Sequence, residues 1–289
     1  QGLALMHEVL FAASGLRLPI VMAVANRALS APISIWNDHQ DSIASRDSGW
    51  IQLYVESSQE AYDTIIQAYK IAEDKKVQLP IMVCLDGFIL SHVWEPVEFI
   101  SNLGSFLPEF KLENKLDSKK PVSIGAIAFP NSYMEIKKLQ VDAIDNSREI
   151  IKKINLEFSK KFGRKYGDGL IETYKMKNAK KAVIAMGSVC GTIRTVIDET
   201  KDVGLIKIRS FRPFPIKELQ ALCKGVKEIK VLDKDISPGS NGALYTEVRD
   251  ALYNSKINIK NFIVGLGGRD ITKNHIRKIL KSEKGGWSF

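Results

Sequence analysis

Apolar residues at helical spacing give way, repeatedly along this chain, to short unbroken aliphatic runs. Residues 59–73 place Ala61, Ile65, Ala68, Tyr69 and Ile71 on a helical stripe, and residues 80–85 (PIMVCL) follow as a run suited to a strand buried on both faces. Residues 3–13 (LALMHEVLFAA) and 18–24 repeat that order, the first apolar enough to be a buried helix. Strands that alternate with helices are joined by crossovers, and crossovers make neighbouring strands parallel. The chain is therefore expected to be α/β. Ser57 or Ser58 is expected to cap the 59–73 helix, with Glu60 near the positive end of its dipole.

The alternation stops over residues 102–131, where Gly104, Pro108, Pro121, Gly125 and Pro130 fall without a period, so this stretch reads as an irregular connection. Residues 133–162 follow as a long amphipathic helix, with Gly163 placed for a left-handed cap. Then the pattern resumes: strands at 182–186, 203–208, 229–233 and 261–266, helices at 192–199, 216–223 and 244–252. Two open, mostly parallel α/β domains are expected. The division falls at 1–118 for the first, 119–178 for the linker and long helix, and 179–289 for the second.

Hydrophobic residues make up 45% of the chain and charged residues 26%, enough for a core in each half. No apolar run approaches the ~20 residues that cross a bilayer, and no secretory leader is visible, so a cytoplasmic, membrane-free protein is expected. The chain opens at Gln1 rather than methionine, which suggests a start that has been cut. Cys84, Cys190 and Cys223 are scattered, and His7, His39, His92 and His275 show no metal-ligand spacing, so buried free thiols and no metal site are expected. Residues 1–118 hold 8 basic against 15 acidic side chains (net −7), leaving 34 against 18 (net +16) for the rest. That basic part is either a solvated lysine-rich surface or a patch for an acidic or phosphorylated partner. It lacks the interleaved aromatics of a nucleic-acid surface, so no nucleic acid is expected.

In open parallel sheets, ligands bind beyond the carboxyl ends of the strands, which selects the residues to weigh. Asn26 and Arg27 follow the 18–24 strand. The arginine's planar fork suits a substrate carboxylate, and a structural salt bridge is the competing reading. Residues 37–41 (NDHQD) pack donors and acceptors that either orient a polar ligand or hold a loop. Asp86-Gly87-Phe88 lacks the companions of a kinase signature and is not read as one. Gly187-Ser188 and the run 265–268 (GLGG) stand where main-chain amides meet phosphates, or serve as tight turns.

Nine segments together resemble the alpha subunit of the 2-oxoacid:ferredoxin oxidoreductases, in their pyruvate branch. They are QGLALM (1–6), the Arg27 region, DHQDSIASRDSGW (38–50), SSQEAYD (57–63), LDGF (85–88), MGSVCGT (186–192), RSFRPFP (209–215), SPGSNGALYTEVRDAL (237–252) and GLGGRDIT (265–272). Their order and spacing, across almost the whole chain, make the resemblance specific. It implies a thiamine-diphosphate pyrimidine-binding-like domain followed by a transketolase C-terminal-like domain. It also implies an enzyme active only with partner subunits, converting pyruvate, coenzyme A and oxidised ferredoxin to acetyl-CoA, CO2 and reduced ferredoxin. Thiamine diphosphate with magnesium would sit at the interface with a partner. The 4Fe-4S clusters would lie on the beta, gamma or delta subunits, none on this chain. Arg27 aligns with the arginine that clamps the 2-oxoacid carboxylate, and Asn26, Asp38, His39, Gln40 and Asp41 would shape the wall around it. The family's YPITP-like motif and its cofactor-activating glutamate do not occur after Gln1, and the native subunit is expected to supply them. The rival readings are a sibling acting on 2-oxoglutarate, branched-chain or aryl 2-oxoacids or oxalate, and a non-catalytic scaffold subunit.

Overall fold

The computed structural model describes residues 1–104, 106–111 and 116–289. In chain order the first part forms α1 (Gly2–Leu5), α2 (His7–Gly15), β1 (Val21–Asn26), α3 (Gln40–Ala44), β2 (Ile51–Tyr54), α4 (Ser58–Ala72), β3 (Ile81–Asp86) and α5 (Tyr133–Phe162). The second forms β4 (Ile171–Tyr174), β5 (Lys181–Ala185), α6 (Val189–Ile197), β6 (Val203–Ile208), β7 (Ser210–Arg212) and α7 (Ile216–Leu222). It ends with β8 (Glu228–Asp233), α8 (Ala243–Ala251), β9 (Asn258–Ile263), a 3-10 turn at Leu266–Gly268, α9 (Lys273–Lys281) and β10 (Gly286–Trp287).

The strands make two sheets, ordered β1-β3-β2-β7 and β10-β9-β8-β5-β6-β4. All pairs are parallel except β2–β7 and β4–β6. The mixed α/β fold with parallel sheets is thus the one the alternation predicts. Period-2 side chains sort the core into layers. In β3, Ile81 and Val83 face the apolar sides of α4 and α5, while Met82 and Cys84 face inward. In β5, Val183 and Ala185 pack on α6 and α9, while Ala182 and Ile184 join Met82 and Cys84 in a core shared by both sheets. Cys84, Cys190 and Cys223 are buried and free. No helix of the described residues is long and apolar enough to cross a membrane.

Local chemistry sets the element ends. Ser57 caps α4, its side chain accepting the Glu60 N–H, and α5 stops at Gly163, whose φ of +74° is the left-handed cap position. The connection before α5 carries no helix or strand among its described residues; positions 105 and 112–115 of it lie outside them.

Several expectations are corrected. Residues 3–13 are not one buried helix: the path breaks at Met6, and Leu5 and Val9 are 90% and 63% exposed. Their apolar density exceeds what this chain covers. Strand 261–266 begins three residues earlier, at Asn258, and helix 192–199 begins at Val189. Elements β2, β4, β7, β10, α3 and α9 carry no advance signal, because two to five residues hold too little of a period and α9 buries only Ile276 and Ile279.

Candidate functional site

The carboxyl ends of β1, β3, β5 and β8 converge, and the chain puts polar side chains at each of them. Asp86 ends β3 and is 1% exposed. One of its oxygens meets His39 Nε2 at 2.8 Å, and the other accepts from Lys234 Nζ at 2.8 Å and from the Ser188 N–H at 3.0 Å. The Ser188 hydroxyl and the Asn37–Lys234 pair complete the network. Burial by itself would raise the Asp86 pKa, but the charges of Lys234 and His39 outweigh it and hold the carboxyl well below its usual range. The amide at the start of α6 is therefore already satisfied by an internal carboxylate. Gly187-Ser188 serves this junction between the sheets.

One turn of chain away, Asp41 is 3% exposed and collects the end of β1. Its Oδ1 accepts from Asn26 Nδ2 at 2.7 Å and its Oδ2 from the Arg27 main-chain N–H at 3.0 Å. Burial raises the Asp41 pKa, with the Asn26 and Arg27 bonds opposing. Asn26 also donates to Ser42 Oγ at 2.7 Å, which in turn bonds the Tyr54 hydroxyl at 2.7 Å.

Arg27 itself is half-buried. Its Nε donates to the Ala28 carbonyl at 3.3 Å and its Nη2 to the Ser34 carbonyl at 2.7 Å, while the Ala28 N–H closes the loop base on the Trp36 carbonyl at 3.0 Å. A guanidinium carries five N–H donors, so the Nη1 pair and one Nη2 hydrogen have no partner among the described residues. Among the described residues no carboxylate pairs with it. The salt-bridge reading of Arg27 therefore has no partner here.

The far foot of that loop stands on the second sheet. The Gly268 N–H donates to the Asn37 carbonyl at 2.6 Å and the Gly267 N–H to Asp38 Oδ2 at 3.2 Å, so the GLGG turn gives its amides to the protein's own chain. Burial raises the Asp38 pKa, partly offset by the Gln40 and Gly267 amides. Gly268 sits at φ +79°, and a Cβ there would overlap Trp36. Gly268→Ala is expected to cost about 1–2 kcal/mol for the backbone alone, with the Trp36 overlap on top, lowering Tm by roughly 2–8 °C. Gly191→Ala, in α6 with open space around it, is the control expected to leave Tm unchanged or slightly raised. Equal melting points for both variants would remove the turn's assigned role.

The six sequence-selected residues thus fall into one connected region. Asn26, Arg27 and Asp41 meet directly, His39 joins through Asp86, Asp38 through Gly267, and Gln40 by donating its main-chain N–H to Asp38 at 3.0 Å. Asn26, Asp38, His39 and Asp41 are buried, so they back the Arg27 loop rather than line a surface. Sequence reasoning missed Lys234. Its only signal is a lysine directly after the buried run 229–233, where a charge needs a partner. It also missed the buried charge cluster behind α4, where Glu60 takes Lys207 Nζ at 2.7 Å and Arg209 Nε at 2.6 Å.

Residues 1–156 match the family described as pyruvate flavodoxin/ferredoxin oxidoreductase, thiamine diphosphate-binding, and residues 179–276 match pyruvate:ferredoxin oxidoreductase core domain II. The pyruvate synthase subunit PorA of Methanocaldococcus jannaschii is 55% identical over 288 residues, 97% of this chain and 74% of that protein. The ketoisovalerate oxidoreductase subunit VorA of Pyrococcus horikoshii is 43% identical over 293 residues, 98% of this chain and 74% of that protein. Among solved structures, the 2-oxoglutarate:ferredoxin oxidoreductase of Magnetococcus marinus superposes with a TM-score of 0.61 at 15% identity. That superposition covers 97% of this chain, which spans about half (52%) of the longer one. At that identity the likeness speaks for the fold.

Proposed function

The chain belongs to the pyruvate:ferredoxin oxidoreductase family, and from that premise we propose that it is the alpha subunit of an enzyme converting pyruvate and coenzyme A to acetyl-CoA and CO2. Ferredoxin takes the electrons. The observation that carries the reading is Arg27: a half-exposed guanidinium at the carboxyl end of a parallel strand, braced by two carbonyls and with donors left over. That is the equipment for holding a small carboxylate end-on.

The exposed face of β1 fits the flat half of the cofactor. Ala23 and Ala25 are exposed beside Arg27, so small side chains leave room for a planar ring next to the carboxylate donor. Thiamine diphosphate, when bound, supplies the electron sink for loss of CO2. We assign the magnesium of the diphosphate, with the cofactor, to the interface with a beta, gamma or delta partner. The 4Fe-4S clusters are assigned to those partners as well. This chain's residues orient and hold: Arg27 binds the substrate carboxylate, and Asn26, Asp38, His39, Gln40 and Asp41 form the wall that keeps its loop in place. Residues 1–118 carry this half of the pocket, 119–178 connect, and 179–289 brace it through the GLGG turn. The basic surface of the second part, net +16 over 119–289, suits acidic ferredoxin or the phosphates of coenzyme A. We place the complex in the cytoplasm.

The test is viologen-dye reduction by the complex copurified with this subunit, given thiamine diphosphate, coenzyme A and a panel of 2-oxoacids. Pyruvate is expected to give the highest kcat/KM, ahead of 2-oxoisovalerate, 2-oxoglutarate, aryl 2-oxoacids and oxalate. A branched-chain preference would move the chain to the ketoisovalerate side of the family. No turnover of any 2-oxoacid by an intact, cluster-loaded complex would leave a scaffold subunit.

A further inference from the structure

We propose that Asp41 is a positioning residue for Arg27, setting the direction in which the guanidinium leaves β1 and with it the affinity for the 2-oxoacid carboxylate. The inference rests on the reading of Arg27 as the carboxylate clamp. Both acceptors that brace the guanidinium, the Ala28 and Ser34 carbonyls, belong to the loop that Arg27 begins, and that loop closes on itself through Ala28 N–H and the Trp36 carbonyl. Loop and guanidinium therefore form one body. Its internal bonds fix its shape but not its angle to the sheet.

The angle is set chiefly at the two feet, with one further bond, from Gln1 Nε2 to Ser30 Oγ at 2.6 Å, on the exposed middle of the loop. At Asn37 and Asp38 the foot is held by the Gly267 and Gly268 amides. At Asn26 the Gly87 N–H holds the main-chain carbonyl at 3.1 Å, and beyond it Asp41 takes the Arg27 N–H with one oxygen and the Asn26 side chain with the other. β1 is an edge strand, so on its open side no strand among the described residues fixes the Arg27 main chain. An error of about 1 Å in a positioning contact is enough to lose on the order of a hundredfold in rate or affinity.

Asp41→Asn keeps the volume but turns one acceptor into a donor, facing either the Arg27 N–H or the Asn26 amide. Adding Asn26→Asp exchanges the pair. The new carboxylate then accepts from the new amide, whose oxygen still accepts the Arg27 N–H, and the Ser42 hydroxyl can turn to donate; the Ser42 main-chain N–H, now held by Asp41 Oδ1 at 2.7 Å, loses its acceptor, so the exchange restores the Arg27 bond but not the whole network.

The experiment measures KM and kcat for pyruvate in the assembled holoenzyme for Asp41→Asn, Asn26→Asp with Asp41→Asn, and Arg27→Ala. Asp41→Asn is expected to raise KM roughly 10- to 100-fold, the loss expected for one hydrogen bond to a charged group, with kcat near native, and the exchanged pair to recover most of that loss. A loss of ground-state and transition-state binding alike appears in KM, whereas general loosening of the fold lowers the active fraction and kcat with it. If Arg27→Ala raises KM but Asp41→Asn leaves it native, the positioning role is overturned and the clamp stands. If Arg27→Ala leaves KM native, the clamp is overturned and the positioning role with it. Where Asp41→Asn does not assemble, the exchanged pair decides: a KM within a few-fold of native supports the role, and one raised as far as in Arg27→Ala overturns it.

Discussion

Arg27→Ala is expected to lower kcat/KM for pyruvate by roughly 30- to 1000-fold in the assembled complex, almost all of it through KM. The substrate's carboxylate keeps its charge throughout the reaction, so a contact to it is as strong before the transition state as in it. Its loss is therefore a binding loss. Truncation also leaves the Ser34 and Ala28 carbonyls without these donors, Ser34 in a half-buried position and Ala28 buried. Tm is expected to move by no more than a few degrees, because the guanidinium is half-exposed and neutralises no carboxylate among the described residues. Arg27→Lys is expected to recover little, since an ammonium cannot brace on two carbonyls and still present a flat pair of donors. Native kcat/KM in the alanine variant would show that the carboxylate is held elsewhere.

Glu60→Ala is expected to have the largest effect on stability, about 3–5 kcal/mol, the cost of leaving a buried charge uncompensated. Glu60 is 1% exposed, and it sits between Lys207, 1% exposed, and Arg209, 2% exposed. Burial alone would raise its pKa; the charges of Arg209 and Lys207 overcome that and lower it. The Glu60 carboxylate also accepts the Glu56 N–H at 2.9 Å, so its loss frees that amide, while the main-chain N–H of residue 60 keeps its bond to Ser57. Arg209 keeps the Gly169 carbonyl and Thr64, and Lys207 keeps Glu56, which is why the loss stays within single-charge range. Thermal unfolding is expected to fall by roughly 6–15 °C. Glu199→Ala is the comparison. It removes an exposed pair with Arg277 and is expected to cost no more than about 1 kcal/mol. Equal shifts for the two variants would mean that the buried cluster contributes no more than a surface ion pair.

What could be read in advance was local. The α4 start follows from Ser57 and Glu60, both within one turn of the residues they bond, and the α5 end from a single glycine. The strand at β3 shows because its residues are apolar on both faces. In contrast, β7 is three residues between prolines and arginines, and only its pairing with β2 makes it a strand. Arg27 could be selected because it follows a strand, but its bond to Asp41 crosses the whole loop to the first turn of α3. Lys234 was invisible for the same reason: its carboxylate partner, Asp86, lies 148 residues away. The family, by contrast, was legible in the order of nine short segments. Such spacing survives where single contacts cannot be inferred.

The place of β7 has a consequence for how the polypeptide is made. The strand at Ser210–Arg212 closes one edge of a sheet whose other three strands end at Asp86, so well over a hundred residues must leave the ribosome between the third strand and the fourth. Until then β2 has an open edge, and Glu60, on the helix that follows it, waits for Lys207 and Arg209. The nascent first half is thus an unfinished sheet, its β2 edge open to pairing with another chain until Ser210–Arg212 arrives.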